Sequence, residues 1–91
     1  MKWEELQPGD QLLPLGGFRA DVLGREPDPM VVLSVVVKHN DGKHVSPFGQ
    51  RDVVDLLFLN TRTAETFKEV RYTSGSAGLG YEIVRAGRRI A

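Results

Sequence analysis

Two apolar arms joined by a short polar link form the strongest pattern in the chain. Residues 53–60 and 65–72 are rich in β-branched and aromatic side chains, and residues 61–64 between them are mostly polar. This pattern predicts an antiparallel hairpin. The first arm is apolar on both faces except at Asp55, so we expect it to lie inside a sheet, between other parts of the protein, rather than at an edge.

The second arm of the hairpin contains an irregularity. Phe67 and Val70 are three residues apart, and side chains at that spacing point to opposite faces of a regular strand. If both side chains face the core, one extra residue must be accommodated between them. We therefore expect a β-bulge near Lys68 and Glu69.

A separate apolar run, residues 30–38, predicts a further strand because its residues alternate between two faces. The first face comprises Val31, Leu33, Val35 and Val37, and the second comprises Val32, Ser34, Val36 and Lys38. We expect the first face to be the core. Asp41 and Gly42 follow this strand, and Asp-Gly is typical of a tight hairpin turn. If these two residues are the centre of that turn, His39 lies opposite His44.

Shorter elements are predicted near the two ends of the chain. We expect residues 3–6 to form one helical turn over one end of the core, Pro8 and Gly9 to form a tight turn, and residues 11–15 to form a short strand. Residues 81–84 alternate as a last strand, after a Gly- and Ser-rich connection, residues 73–80, that we expect to be flexible. From about residue 86 we expect a frayed tail.

Residues 16–29 contain five Gly or Pro and show no sustained period, which predicts a long loop. Long irregular loops in small domains often carry function. The apolar side chains of this loop are Phe18, Val22 and Leu23. We expect Val22 and Leu23 to be buried and Phe18 to be at least partly exposed, where a rigid aromatic ring would suit contact with a partner.

Composition places the chain among ordinary globular proteins. It has 91 residues, 41% of them hydrophobic and 26% charged, which predicts a single domain over residues 1–91. The lack of cysteine excludes disulfides, thiol catalysis and thiolate metal sites. No apolar run is long enough for a membrane-spanning helix, and the N-terminus has no apolar stretch of a secretion signal, so we expect a cytoplasmic protein without a membrane partner.

The order of the predicted elements is the order found in small SH3-like barrels. The opening of the chain resembles the start of small SH3-like barrel proteins of high-GC bacteria and their phages in Trp3, Glu5, Leu6, Pro8, Gly9 and Asp10, followed by a strand. The resemblance implies an all-β fold, an SH3-like barrel of five or six antiparallel strands with a long loop after the first strand. That loop lacks the acidic and aromatic motif of SH3 domains that bind proline-rich peptides, so such binding is not implied.

The two central strands carry more apolar side chains than a small barrel needs to fill its inside. Such a surplus is covered either by the chain's own loops or by another chain. We therefore expect a non-enzymatic module for protein–protein interaction or self-association. Its predicted partner-binding residues are Phe18, Val32, Val36, Leu57 and Leu59.

Basic residues of the C-terminal half support an alternative, nucleic-acid binding. On a small barrel, outward positions of adjacent strands can form one basic strip, here drawn from Arg62, Lys68, Arg71, Arg85, Arg88 and Arg89. With Phe48 or Tyr72 nearby, such a strip would suit a single strand of nucleic acid. A solvated face with ion pairs to Glu65, Glu69 and Glu82 is the favoured interpretation, and the formal net charge of zero agrees with it.

Other chemistry has weaker support. His39, Asp41 and His44 have suitable metal-binding groups, but the sequence supplies no further ligands, so we predict no metal site. Residues 75–80 are Gly-rich, but they lack the Lys-Ser/Thr pair and the following helix of a phosphate-binding loop. No nucleophile, acid or base stands at a recognisable catalytic spacing. We therefore expect no enzyme activity and no cofactor.

Overall fold

The computed structural model describes residues 1–16, 27–40 and 52–91. Within these ranges the chain is all-β apart from one 3₁₀ turn at Trp3–Glu5. The described strands are β1 (Gln11–Pro14), β2 (Met30–Lys38), β3 (Val53–Asn60), β4 (Glu65–Tyr72), β5 (Tyr81–Arg85) and β6 (Arg88–Arg89). They form one open antiparallel sheet in the order β4-β3-β2-β1-β5-β6. The expectations for Phe18, Val22 and Leu23, for the turn at Asp41 and Gly42, and for His44 and Phe48 lie outside the described residues.

The central hairpin is confirmed. β3 and β4 pair without interruption from Val53 opposite Tyr72 to Asn60 opposite Glu65. β3 lies between β2 and β4, as its apolar faces predicted. At the turn, the side-chain oxygen of Asn60 accepts hydrogen bonds from the backbone N–H groups of Arg62 and Thr63 at 2.9 and 3.2 Å. The turn residues have no strand neighbour, so the Asn60 side chain provides the acceptor for their backbone N–H groups.

The predicted β-bulge in β4 is wrong, because Phe67 and Val70 lie on opposite faces of a regular strand. The irregularity is in β2 instead, between Val32 and Ser34. One extra residue reverses the faces of all residues beyond it. The predicted core face of β2 is therefore wrong at Val32, which is fully buried, and at Leu33, which is 40% exposed. Beyond the bulge, Val35 packs against the core, but Val37 is 52% exposed.

The core lies on the side of the sheet to which Val32 points. Its buried members are Leu6, Leu12, Val32, Val54, Leu56, Phe58 and Ile83. Phe58 and Phe67 stack across β3 and β4 with ring centroids 5.4 Å apart. Trp3 packs against this cluster, and Leu6 belongs to it, so the predicted helical turn over the core is confirmed.

The connection before β5 is attached to the N-terminus rather than solvated as a flexible linker. The N–H of Trp3 donates to the carbonyl of Gly75 at 3.1 Å, and the N–H of Ala77 donates to the carbonyl of Met1 at 2.8 Å. Gly78 is buried with a φ of +73°, and a Cβ there would lie 2.9 Å from the Ile83 side chain. Glycine is required by both the backbone angle and the close contact.

The prediction of a frayed C-terminal tail is also wrong, because the chain turns back to form β6. Ala86 and Gly87 have φ angles of 51° and 77°, as a two-residue hairpin loop with matching twist requires. Beyond β6, the N–H of Ile90 donates to the carbonyl of Ile83 at 2.8 Å. In the described ranges, no helix has the length and apolar character needed to cross a membrane.

Candidate interaction surface

The face of β2, β3 and β4 that points away from the core carries exposed apolar side chains. We call Val36, Leu57 and Val70 the outer patch. Val36 and Val70 both flank Asp55 across the sheet, and they are 47% and 41% exposed. A groove of about 300 Å³ lies over the three residues. The patch therefore offers apolar surface that the described part of the chain leaves open to solvent.

Charged side chains of both signs border the outer patch. Lys38 and Asp55 form an ion pair with 2.7 Å between Nζ and Oδ2, and Lys68 and Glu69 border the groove on β4. The Lys38 side chain is 59% exposed, so this pair contributes little to folding. An apolar centre with a polar rim is typical of protein-binding surfaces.

Two of the predicted partner-binding residues, Val36 and Leu57, meet in the outer patch. Leu59 is half-buried on the same face but does not line the groove. The prediction that Val32 contacts a partner is corrected, because this residue has no exposed surface and belongs to the core. Val70 was missed because the sequence interpretation assigned it to the core face. The signal that could have found it is the regular alternation of β4 itself.

A second cavity, of about 170 Å³, opens on the core side of the sheet. Trp3, Phe67 and Tyr81 contribute aromatic walls, and Glu69 and Arg71 lie among its lining residues. The guanidinium of Arg71 lies 5.4 Å from the centre of a Trp3 ring, and its NH1 is 2.8 Å from Glu69 Oε2. The chain thus places its own cation against the tryptophan. Sequence analysis missed this cavity because its walls come from distant segments.

Asp10 and Arg85 form an ion pair with a buried carboxylate at the end of the sheet opposite β4. Asp10 is 1% exposed, and Arg85 donates to both of its carboxylate oxygens at 2.8 Å. Asp10 also accepts the backbone N–H of Gln7 at 2.8 Å, and Arg85 reaches the carbonyl of Glu5 at 3.1 Å. The hydrogen bonds from Arg85 hold the pKa of Asp10 below its ordinary value, although burial opposes this shift. This pair joins the N-terminal turn to β5.

The basic residues of the alternative interpretation do not lie in one strip. Lys68 borders the groove on the outer face, whereas Arg71 contacts Trp3 on the core side of the same strand. Arg88 and Arg89 belong to β6, at the opposite end of the sheet from β4. Within the described ranges, arginines pair with carboxylates in Arg62 with Asp28, Arg71 with Glu69, Arg85 with Asp10 and Arg89 with Glu82.

The histidine and metal hypotheses have no geometric support in the described ranges. His39 is 83% exposed at its side chain, and its Nδ1 lies 3.3 Å from Asp52. Residues 1–16, 27–40 and 52–91 contain no group of three or more metal-ligating side chains close enough to hold an ion.

Comparison with known proteins gives no relative from which a function could be inferred. No family model matches the chain, and no curated protein or solved structure matches it either.

Proposed function

We propose that the chain is a small non-enzymatic binding module of the SH3-like barrel type that makes protein–protein contacts in the cytoplasm through the outer patch. The strand order supports the fold part of this proposal. β2 pairs with β1 only at Met30 and Val31, and beyond its bulge it pairs with β3 alone. Core residues come from both sides of this change of partner, Leu12 and Ile83 from β1 and β5 and Leu56 and Phe58 from β3, which supports a barrel-like arrangement.

The exposed outer patch is the observation that carries the functional part. Val36 and Val70 are nearly half exposed, although valine side chains in a sheet are favoured where a neighbour covers them. Leu57 lies between the two edges of the groove, and its burial would be completed by a partner. Removing this apolar surface from water stabilises a complex by about 25 cal/mol per Å² before the costs of association.

The arrangement of the carboxylates and of His39 supports the non-enzymatic part of this proposal. Asp10 and Asp28 accept hydrogen bonds from arginine side chains, which uses these carboxylates structurally. His39 lines neither of the two cavities described above. A binding role therefore accounts for the outer patch without requiring a reactive group.

Site-specific photocrosslinking in the native cells tests this proposal. A photoreactive amino acid replaces Val36, and the matched control carries it at Thr63, an exposed position in the β3–β4 turn. We expect protein adducts from position 36 and few from position 63. Addition of Val70→Asp to the first chain should abolish the adducts while the circular dichroism spectrum stays unchanged. Equal adducts from both positions, or none from position 36, would contradict the proposal.

A further inference from the structure

β4 is the long edge of the described sheet. It contains eight residues, is paired with β3 along its whole length, and has neither a bulge nor a proline. The opposite edge, β6, has only two residues. Among the described residues, no strand pairs with the other side of β4. Long regular edges are templates for pairing with another strand.

The hydrogen-bond pattern shows which backbone groups of β4 face outward. The N–H of Thr73 donates to the carbonyl of Asp52 at 3.0 Å, just beyond the last strand pair. In an antiparallel ladder, alternate residues bond to the same neighbour. Residues 65, 67, 69 and 71 therefore bond to β3, and residues 66, 68 and 70 direct their N–H and C=O groups away from it. The carbonyl of Tyr72, at the end of β4, accepts the N–H of Gly75 at 3.3 Å. The guanidinium of Arg71 reaches the outward carbonyl of Val70 at 3.1 Å, which agrees with this assignment.

The charges along β4 select one way of pairing two copies. In a two-fold antiparallel pair, each residue meets a residue of the same face, and the strand centre meets itself. A centre at Lys68, Glu69 or Arg71 places identical charges opposite each other, and a centre at Phe67 places Glu69 opposite Glu65. Centres at Thr66 and Tyr72 bring no two charged residues opposite each other. A centre at Val70 opposes no like charges. It places Glu69 of each copy opposite Arg71 of the other, twice, and such opposite-charge pairs are favourable.

The same register covers exposed apolar surface. Val70 is 41% exposed and belongs to the outer patch. At the two-fold axis, the two Val70 side chains contact each other, so the outer patches of the two copies meet there. Each Val70 N–H donates to the partner's Val70 carbonyl, which replaces the bond from Arg71 and frees its guanidinium for Glu69 of the other copy.

We infer that the chain forms a two-fold homodimer in which β4 pairs antiparallel with β4 of a second copy, Val70 opposite Val70. The partner that this inference names is a second copy of this chain, and the inference rests on the proposed interaction role because Val70 belongs to the outer patch. The occupant of the groove over Val36 and Leu57 is a separate question.

Cysteine crosslinking tests the register directly, because the natural chain has no cysteine. Val70→Cys places two cysteines at a Cα separation of about 5.5 Å, which is within disulfide range. Val36→Cys is the matched control, since Val36 is similarly exposed on the same face but lies two strands away from the edge. We expect the oxidised Val70→Cys chain to be mostly dimer and the control mostly monomer. Equal crosslinking of both, or none at position 70, overturns the inference.

A mixing experiment tests the paired charges. Glu69→Arg places positive charges at both positions 69 and 71, and Arg71→Glu places negative charges at both positions. In analytical ultracentrifugation, each variant alone should dimerise roughly tenfold more weakly than the natural chain or worse, and an equimolar mixture should recover the dimer. A natural chain that stays monomeric, variants that dimerise normally, or a mixture that does not recover would each overturn the inference. Adducts from position 36 without a Val70 dimer would support the proposed function and overturn the dimer. A Val70 dimer without adducts from position 36 would support the dimer and contradict the proposed function.

Discussion

Two ion pairs at opposite ends of the sheet differ in sequence separation and in the burial of their carboxylates. Asp10 and Arg85 join segments 75 residues apart, and the carboxylate is 1% exposed and accepts three hydrogen bonds. Glu69 and Arg71 are two residues apart on the edge strand β4, and their side chains are 34% and 42% exposed. In the first pair the carboxylate is buried and Arg85 is 33% exposed, whereas in the second pair both side chains are in contact with solvent.

This difference separates a stabilising contact from a recognition contact. A buried carboxylate that loses its partner keeps the cost of desolvation, so the folded state depends on the Asp10–Arg85 pair. An exposed pair loses little, because water replaces the missing partner. For the same reason Glu69 and Arg71 can exchange partners with a second copy of the chain at small cost.

The largest effect is expected at the buried pair. Asp10→Ala should lower the free energy of unfolding by about 3 kcal/mol, because Arg85 and the Gln7 N–H lose their acceptor. The matched control is Asp55→Ala, which breaks the exposed pair with Lys38 and should cost less than about 1 kcal/mol. Urea denaturation of both variants measures the difference. Equal losses would show that burial does not distinguish the two pairs.

A smaller effect is expected from acid. Because the folded-state pKa of Asp10 is lowered by Arg85, the unfolded state binds protons first as pH falls. The contribution of the pair is therefore complete above about pH 4 and is lost as pH falls through the folded-state pKa. The stability difference between the natural chain and Asp10→Asn should shrink from pH 7 to about pH 2. A difference that stays constant over this range would contradict the assigned pKa direction.

The smallest effect on folding is expected at the edge. Glu69→Gln keeps the side-chain shape and should change the free energy of unfolding by less than about 0.5 kcal/mol, because both partners are exposed. Thermal unfolding of dilute protein, compared with dimerisation at high concentration, separates the two roles. We expect weaker dimerisation with an almost unchanged melting temperature. A large loss of stability would place Glu69 with Asp10 among the structural residues.

Local pattern was sufficient for several parts of this protein. The hairpin of β3 and β4, the full extent of β2 and the turn at Pro8 and Gly9 follow from side-chain alternation and from residues suited to turns. These features depend on residues that are close together in sequence, so local alternation and turn residues are enough to predict them. The all-β class follows from the same information. The outer patch was predicted in part, through Val36 and Leu57.

Only the tertiary structure decided which face of each strand is buried. A single extra residue between Val32 and Ser34 moved Val32 into the core, and no composition signal marks that position. Regular β4 placed Val70 outside, although its apolar character suggested the core. The pairing of Asp10 with Arg85 and the approach of Arg71 to Trp3 depend on strand order. Such contacts are set by how the whole sheet folds around the core, because their energies appear only when distant segments meet.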